Sequence, residues 1–512
     1  MRRDLSRFLD TTFDLLVVGA GIHGACIAWD ASLRGLSVAI VDRADFGAAT
    51  SANSLRIIHG GLRYLARGDF PRMRESIRER STLLRIAPGL VEPLPVLVPT
   101  YRRTLRGRAA MGVALLLNEM VSLNRNRGLA PARVIPPGRL VSREECLRRC
   151  GWLDRDGLTG GALWYDARMR HPERLTSSFV SSAAAQGAVP ANYVQVDRLL
   201  VRTGRVLGVA VTDLEGAGGQ FEIRGRVVVV AAGPWTPKLI AGTLGQQGRP
   251  RAASRAMAVN AVIERRLADT AVGIQARSGP DIDPIGGGSR YLFAAPQGSR
   301  TLLGTWYAPE GQAGSTPEMG LRSLLREFNE VCPGLALSLN DAAGYQWGWL
   351  PLKGEDEPGR PTALAERSRV INHGGQGARH LLSVEGVKYT TARLVAQGVV
   401  DRVFENLGRP SPPCRTAEIP LEPMGVEGPP TLDGASVEAE VRRAVQEEMA
   451  VKLSDIVFRR STLGAAGRLD RTRVAEVAQL AGMELGWDTM RQQAEVEDVI
   501  QTGAFVAEEP VA

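Results

Sequence analysis

Three glycines near the start of the chain have the spacing of a dinucleotide-binding turn. Gly19, Gly21 and Gly24 follow the apolar run 13–18 and open a segment with helical character. In such a turn Gly19 permits the sharp bend, Gly21 lets a pyrophosphate approach the backbone, and Gly24 allows helix and strand to pack closely. The free amide groups at the helix start would face the phosphates. A tight turn without a ligand is the alternative interpretation of these glycines.

An acidic residue at the end of the next strand strengthens the dinucleotide interpretation. The apolar run 36–41 ends at Asp42, which lies 18 residues after Gly24. A carboxylate at this position accepts hydrogen bonds from ribose hydroxyls in dinucleotide-binding folds. The strand, glycine turn, helix and acid occur together and in order, and this context is what makes the motif specific. The sequence therefore predicts a bound dinucleotide.

Small and hydroxyl-bearing residues occupy positions 49–54. Thr50, Ser51 and Ser54 can donate hydrogen bonds to phosphates from a loop that wraps the cofactor. Gly60 and Gly61 follow, and two adjacent glycines let the backbone pass close to a flat ring system. These positions extend the predicted cofactor site beyond the glycine turn.

Three side chains near the adjacent glycines Gly60 and Gly61 have the chemistry of an active site. His59 can accept a proton near neutral pH, as a general base must. Arg63 offers a fork of donors to a phosphate or carboxylate, and Tyr64 adds a hydroxyl. A structural histidine in a tight turn and a surface ion pair of Arg63 are the alternatives.

The remaining elements divide the chain into several predicted parts. The pattern is strand-rich over 188–230, with a hairpin turn near 215–219, and the valine run that ends it predicts a buried parallel strand. Further strands are predicted over 258–263, 291–294, 301–305 and 380–384, and helices over 72–87, 104–125 and 390–406. We predict a first part of a cofactor domain at 1–245, a substrate domain at 246–345, the closing part of the cofactor domain at 346–407, a linker at 408–430 and a helical domain at 431–512.

Composition excludes several classes of protein. The chain has 512 residues with 44% hydrophobic content, enough for two or three packed domains. The net charge is +8, spread along the chain with 5% aromatic residues, which argues against a nucleic-acid partner. Five unpaired cysteines fit a reducing compartment and no metal site. Without an apolar signal core in residues 1–12, we expect a cytoplasmic protein.

The stretch 104–125 is apolar with basic flanks and is compatible with a membrane contact. It contains the run 111–117 between several arginines, a pattern typical of helices that lie on a bilayer surface. An ordinary packed helix is the interpretation we favour. The arginine excess itself is explained most simply by genomic base composition.

Taken in order, these motifs resemble the FAD-dependent glycerol-3-phosphate dehydrogenases. The most specific of them is the His-Gly-Gly-Leu-Arg-Tyr run that begins at His59. The other matching segments are 14–24, 49–54, 166–168, 232–235, 304–305 and 386–393, and in the C-terminal part 459–463 and 485–487. The resemblance implies an α/β fold: a Rossmann-like, doubly wound FAD-binding domain, an inserted β-rich substrate domain and a C-terminal α-helical domain.

The family also implies further cofactor contacts and a reaction. Positions expected near FAD by resemblance are Val194, Ala232, Gly233, Trp235, Gly386, Lys388, Tyr389 and Thr390. The implied reaction oxidises a secondary alcohol beside a phosphate and passes electrons to quinone or oxygen. We expect His59 to take the hydroxyl proton while hydride passes to flavin N5, and Lys388 to stabilise the reduced flavin.

The substrate side departs from the family pattern. Leu350 stands where the family has an arginine expected to hold the anionic end of the substrate. Trp306 and Tyr307 replace a Thr-Asp-like pair, and the segment 255–258 replaces a Lys-Gly-x-His run. Losing one charge-assisted contact weakens binding about 10- to 100-fold. Either another cation compensates, with Arg255, Arg300 and Lys353 as candidates, or the substrate differs.

The residues therefore leave three functions open. The first is oxidation of glycerol 3-phosphate or a close relative, with Arg63, Arg255, Trp306, Tyr307 and Leu350 on the substrate side. The second is oxidation of another hydroxy or amino substrate in a pocket that clustered aromatic side chains make more apolar. The third is a non-catalytic flavoprotein. A homodimer and contact with the inner face of the cell membrane are compatible with each.

Overall fold

The computed structural model describes most of the chain. The described residues are 1–102, 107–216, 219–244, 255–276, 285, 290–312, 314–353, 363–422, 437–461, 463–465 and 469–503. They form two compact units. The first comprises 1–52, 171–253 and 365–504, and the second comprises 53–170 and 254–364 with the chain end.

The strands are numbered in chain order. They are β1 Thr12–Val18, β2 Val38–Val41, β3 Ile57–Ile58, β4 Val91–Tyr101, β5 Arg139–Val141, β6 Leu158–Met169, β7 Val189–Ala191, β8 Val194–Arg202, β9 Arg205–Asp213, β10 Gln220–Val230, β11 Arg255–Ile263, β12 Ala271–Gln275, β13 Tyr291–Gln297, β14 Arg300–Pro309, β15 Ala342–Pro351, β16 Arg369–Asn372 and β17 Leu381–Glu385.

The helices follow the same numbering. They are α1 Ile22–Leu33, α2 Phe70–Ile86, α3 Arg108–Val121, α4 Arg143–Arg149, α5 Pro172–Ala185, α6 Thr236–Leu244, α7 Pro317–Val331, α8 Ala392–Leu407, α9 Val437–Gln446, α10 Leu453–Asp455, α11 Arg471–Leu485 and α12 Thr489–Gly503. A π-helical turn, Ile456–Arg460, continues α10, and a 3-10 turn spans Leu62–Arg67.

The first unit is built on a mainly parallel sheet with the order β16-β17-β10-β1-β2-β7, in which the edge strand β16 pairs antiparallel with β17. β1 pairs in parallel with β2 on one side and with β10 on the other, so the strand order reverses at β1. Ligands bind doubly wound sheets at such a switch point. The predicted buried valine strand is confirmed, because Val227 to Val230 have no exposed surface. Each such valine contributes about 1.5–3 kcal/mol of burial energy.

Helix α1 connects β1 to β2 and is buried on nearly all sides. Its residues are mostly small or apolar, and it packs against α5 and α8. The predicted hairpin after β9 is confirmed by antiparallel pairing of β9 with β10, although residues 217–218 of the turn lie outside the described residues. The C-terminal helices α9, α11 and α12 have their own apolar core, which includes Val441, Val474 and Val499.

The second unit is built on a mainly antiparallel sheet with the order β15-β11-β14-β13-β12-β4-β6-β3. Helix α7 covers one face of this sheet. Thr316 caps α7 by accepting a hydrogen bond from the Met319 amide at 3.2 Å, and Pro317 suits the first helical position. The apolar stripe of α7, including Leu324 and Phe328, lies in one core with Val259 of β11.

The two units divide the chain differently from the predicted domains. Residues 53–170 belong with the antiparallel sheet and not with the first part of the cofactor domain. The reason is strand pairing: β4 pairs with β12 through Val96 and Ala271, and also with β6. Strand β4 is difficult to predict from the sequence, because prolines at 93, 95 and 99 argue against a central strand.

Candidate cofactor and substrate sites

The glycine turn in the first unit leaves no room for side chains. A Cβ at Gly24 would lie 1.9 Å from the Gly19 carbonyl oxygen, and a Cβ at Gly19 would lie 2.7 Å from the Ala231 oxygen. Gly19 also has φ +99°, which disfavours other residues. Gly21 is the N-cap of α1, and the Ile22 amide donates to Ser51 Oγ at 3.0 Å. The turn thus presents backbone at the helix start, as the sequence predicts.

The Asp42 carboxylate lies directly beside the glycine turn. It accepts hydrogen bonds from the Ala20 amide at 2.6 Å and from the Ala44 amide at 3.0 Å. Removal from water nevertheless raises the pKa of Asp42 to about 6, against the lowering effect of these two amides. Hydroxyl donors of a ribose would favour the ionised form and offset this cost.

Two later segments of the chain return to the same turn. After β10 the Ala231 amide donates to the Val18 carbonyl at 2.8 Å, and Ala232 and Gly233 follow it. Gly386 comes after β17, and a Cβ there would lie 2.3 Å from the His23 ring. Tyr389 donates to the Pro172 carbonyl at 3.1 Å.

Burial lowers the pKa of His23 to about 4, so its ring is neutral near pH 7. The buried Nε2 atom of this ring has no hydrogen-bond partner among the residues that the structure describes. The neutral, closely packed ring of His23 fills the space between the glycine turn and Gly386.

These features fit FAD. The glycine turn would take the pyrophosphate, Asp42 the adenosine ribose, and the segments after β10 and β17 the remainder of the cofactor. The predicted cofactor residues in the first unit are Gly19, Gly21, Gly24, Asp42, Thr50, Ser51, Val194, Ala232, Gly233, Trp235, Gly386, Lys388, Tyr389 and Thr390. The other predicted site residues, including Ser54, His59, Gly60 and Gly61, lie in the second unit.

In the second unit, Asp166 anchors the loop that carries His59. The Asp166 carboxylate accepts hydrogen bonds from the Gly60 amide at 2.6 Å, from Arg80 Nη1 at 2.8 Å and from Trp164 Nε1 at 3.2 Å. A Cβ at Gly60 would lie 2.4 Å from Arg80 Nη1, so a larger residue would displace the Arg80 guanidinium that pairs with Asp166. Asp166 was part of a matching motif, but nothing in the sequence linked it to Arg80.

Tyr64 is packed rather than presented to a ligand. Its side chain is 1% exposed and lies in a small core with Met73 and Ile77. Gly61 has φ +79°, and a Cβ there would meet the Tyr64 ring at 2.6 Å. The burial does not support the predicted catalytic role of the Tyr64 hydroxyl. Arg63, next to it, is exposed.

The altered substrate-side residues occupy opposite faces of the antiparallel sheet. Trp306 pairs with Val259 and packs under α7, where a Cβ at Gly320 would lie 2.7 Å from its ring. Tyr307 pairs with Ala258 and therefore points to the other face. A single aromatic pocket that includes both side chains, as predicted, is wrong, because successive side chains of a strand alternate.

Leu350 shares the face of Tyr307, and Arg255 does not. Leu350 pairs with Ala256, the neighbour of Arg255 on β11. The Arg255 guanidinium lies 5.1 Å from the Trp349 ring centroid and forms an ion pair with Glu310. The predicted substitution of Arg255 for the missing arginine is therefore contradicted by strand alternation.

Arg300 also fails to supply a cation beside Leu350. Arg300 lies at the opposite end of β14, nine residues or roughly 30 Å of strand from Pro309, the partner of Ala256. Lys353 follows β15 and is exposed. The sheet face of Leu350 thus receives no positive charge from Arg255 or Arg300.

The fold and the glycine turn define the class, and comparison with known proteins confirms it. Residues 14–399 match the model of the FAD-dependent oxidoreductase family, to which the chain belongs. Residues 427–492 match the C-terminal domain of alpha-glycerophosphate oxidase. Within this class the chain is a member of the FAD-dependent glycerol-3-phosphate dehydrogenase family.

Individual relatives give the extent of the similarity. The chain is 30% identical to a glycerol-3-phosphate dehydrogenase of Synechocystis over 82% of this chain and 75% of the relative. It is 31% identical to glycerol-3-phosphate dehydrogenase 2 of Mycobacterium tuberculosis over 81% of this chain and 67% of the relative. The fold matches glycerol-3-phosphate dehydrogenase from Bacillus halodurans, solved with FAD, with a TM-score of 0.74 at 21% identity over 99% and 98% of the two chains.

Proposed function

We propose that this protein oxidises sn-glycerol 3-phosphate to dihydroxyacetone phosphate with FAD as its redox cofactor. The observation that carries the proposal is a glycine turn with Asp42 beside it, in a chain at least 30% identical to glycerol-3-phosphate dehydrogenases over most of its length. The anchored loop of His59 and the exposed Arg63 add groups with suitable chemistry.

In this proposal each residue has a separate task. His59 removes the proton of the substrate hydroxyl, and the Asp166 anchor holds the His59 loop in place. Arg63 binds the phosphate through its guanidinium. Asp42 and the amides of the glycine turn hold the cofactor at its adenosine and pyrophosphate end. Bound FAD supplies the hydride acceptor, and Lys388 places a positive charge beside it.

The test is anaerobic addition of sn-glycerol 3-phosphate to the purified holoenzyme, followed by flavin absorbance. Rapid bleaching supports the proposal. A flavin that dithionite bleaches and glycerol 3-phosphate does not would overturn it. If no substrate in a panel of hydroxy acids, polyols and amines bleaches the flavin, the result would favour a non-catalytic flavoprotein.

A changed substrate is the second candidate, and one observation favours it. The sheet face of Leu350 and Tyr307 lacks Arg255 and Arg300, and its neighbours Ala256 and Ala258 are small and apolar. Such a surface suits a neutral or bulkier group better than a phosphate. The same bleaching assay with uncharged hydroxy and amino substrates tests this candidate directly.

We also propose that α3 rests on an anionic membrane surface, where a quinone would accept the electrons. Leu115 is buried, as expected for a packed helix, but Val113, Leu116 and Met120 are 58%, 67% and 58% exposed, and Leu123 beyond the helix end is 81% exposed. Arg103 and Arg106, part of the predicted basic flank, lie outside the described residues. Among the described helices, none is both long and apolar enough to cross a bilayer.

Sedimentation with vesicles of mixed phosphatidylcholine and phosphatidylglycerol tests this contact. Leu116→Gln with Met120→Gln should reduce vesicle binding, since burial of apolar side chains in the interface is lost. Met483→Gln is a matched control on the exposed surface of α11. Quinone and oxygen consumption assays identify the acceptor, and sedimentation velocity without vesicles tests the predicted homodimer.

A further inference from the structure

Two adjacent arginines of the C-terminal part, one half-buried and one buried, form ion pairs in the interior of the first unit. Arg459 and Arg460 end the π-helical turn, and the Arg460 side chain is 1% exposed. Arg460 donates two parallel hydrogen bonds to the Asp45 carboxylate, at 2.8 Å and 2.9 Å, and Arg459 Nε donates a third at 2.6 Å. Bidentate arginine–carboxylate pairs combine strength with fixed geometry. The C-terminal part thus holds Asp45 at both oxygens.

Asp45 belongs to the loop that presents the predicted ribose acid. It follows Asp42 by three residues, and the Ala44 amide between them donates to the Asp42 carboxylate at 3.0 Å. Two residues later, the Gly47 amide donates to the Ala20 carbonyl in the glycine turn at 3.0 Å. A shift of Asp45 would therefore move both the Asp42 carboxylate and the contact with the glycine turn.

The C-terminal part also holds the strand connection on the other side of Asp42. The Tyr193 hydroxyl donates to Asp455 at 2.5 Å, and Asn192 Nδ2 donates to the Met449 carbonyl at 2.9 Å. Val194, which follows Tyr193 in the sequence, donates a hydrogen bond from its amide to the Asp42 carbonyl at 2.7 Å. Both the loop after Asp42 and the chain beside it are thus tied to residues 449–460.

The network is charged and removed from water. Burial opposes ionisation of Asp45, yet Arg460 and Arg459 outweigh it and lower the Asp45 pKa. Burial and the neighbouring Asp45 charge raise the pKa of Asp455. Arg174 of α5 joins the network by donating to the Arg460 carbonyl at 2.7 Å. Removing one partner of such a buried set leaves the charge of the other uncompensated, which is strongly destabilising. The ion pairs therefore hold Asp45 in one position.

We propose that the C-terminal helical part is a component of the FAD site, and that Arg459 and Arg460 are positioning residues for the Asp42 loop. FAD affinity then depends on ion pairs formed by residues that do not themselves bind FAD. Because coupling between two sites is reciprocal, bound FAD should in turn stabilise residues 437–461. The inference is independent of which substrate the enzyme oxidises.

FAD titration of the stripped full-length protein, followed by flavin fluorescence, tests the proposal. Asp45→Asn keeps the shape of the side chain but removes the charge, and the FAD dissociation constant should rise about 5- to 150-fold, the usual range of such coupling. Arg459→Gln should act in the same direction. Arg442→Gln is the matched control, since it breaks an exposed pair with Glu484 in the same helical part, and it should change the constant less than about twofold.

Hydrogen exchange of the wild-type protein gives a readout that needs no variant to fold. Adding FAD should slow amide exchange in residues 437–461 as well as in residues 42–52. A purely structural role predicts that Asp45→Asn and Arg459→Gln lower the melting temperature while FAD affinity stays within twofold. That result, or exchange in 437–461 that FAD does not change, would overturn the proposal.

Discussion

The two units use their sequences in different ways. In the first, a cofactor site arises from backbone geometry: three glycines at the end of β1 and one acid after β2. In the second, the substrate side depends on which side chains share one face of an antiparallel sheet. Every departure from the family pattern lies in the second unit, at Arg255, Trp306, Tyr307 and Leu350. A backbone site tolerates little change, whereas a sheet face can change its chemistry one residue at a time.

The strongest test of the backbone site is Gly24→Ala. The added Cβ would lie 1.9 Å from the Gly19 oxygen, so helix α1 must move away from β1. We expect the purified protein to lose its flavin absorbance entirely. Gly398→Ala in α8 is the control, since a Cβ there has open space, and it should retain flavin. A Gly24→Ala protein with full flavin content would contradict the proposed pyrophosphate site.

His59→Asn tests whether the second unit contributes a base. Removing a general base typically costs about 10²- to 10⁴-fold in rate. We expect kcat for flavin reduction to fall in that range while FAD content stays unchanged. His380→Asn serves as the control, because asparagine tolerates the left-handed backbone at φ +64°. If His59→Asn and His380→Asn reduce the flavin with the same kcat, His59 would have a structural role and not that of a base.

Leu350→Arg tests the chemistry of the altered sheet face. A new charge-assisted contact should lower KM for glycerol 3-phosphate about 10- to 100-fold. Arg255→Gln should leave KM within about twofold, because Arg255 is paired with Glu310 on the opposite face. Steady-state kinetics with an artificial acceptor measures both. The reverse pattern, with KM raised only by Arg255→Gln, would mean that the substrate binds on the α7 side.

The pH dependence of FAD binding is the smallest expected effect. Burial raises the Asp42 pKa to about 6, and a bound ribose favours the ionised form. FAD binding therefore releases a proton, so affinity is full above pH 6 and falls as the pH drops through the Asp42 pKa. At pH 5 the dissociation constant should be about 10-fold higher than at pH 7.5. Asp42→Asn should bind more weakly and lose this dependence.

Much of the first unit could be predicted because its signals are local. The apolar run before Gly19, the helix after it and the valine run 227–230 each define an element from neighbouring residues alone. The helices at 70–86 and 392–407 were also predicted to within a few residues. Steric demands at Gly19 and Gly24 act between atoms a few residues apart, so the spacing carries the information.

The second unit was predicted less completely, for two physical reasons. The prolines of β4 disguise a strand that pairs on both sides, with β12 and β6. A bulge between Val259 and Asn260 then shifts the register of β14 against β11, so the face of each side chain depends on a pairing that no short segment encodes. Trp306 and Tyr307 were expected together because the predicted strand ends at residue 305, whereas β14 continues to Pro309 and places the two side chains on opposite faces.

By itself, the sequence determined the class of cofactor and the position of the glycine turn proposed to bind it, because glycine spacing and an acid after a strand are local constraints. Only the tertiary structure decided which substrate-side residues share a face and why Asp45 is conformationally fixed. Asp45 and Arg460 are 415 positions apart. Each is an ordinary charged residue in the sequence, and only folding brings them together and removes both from water.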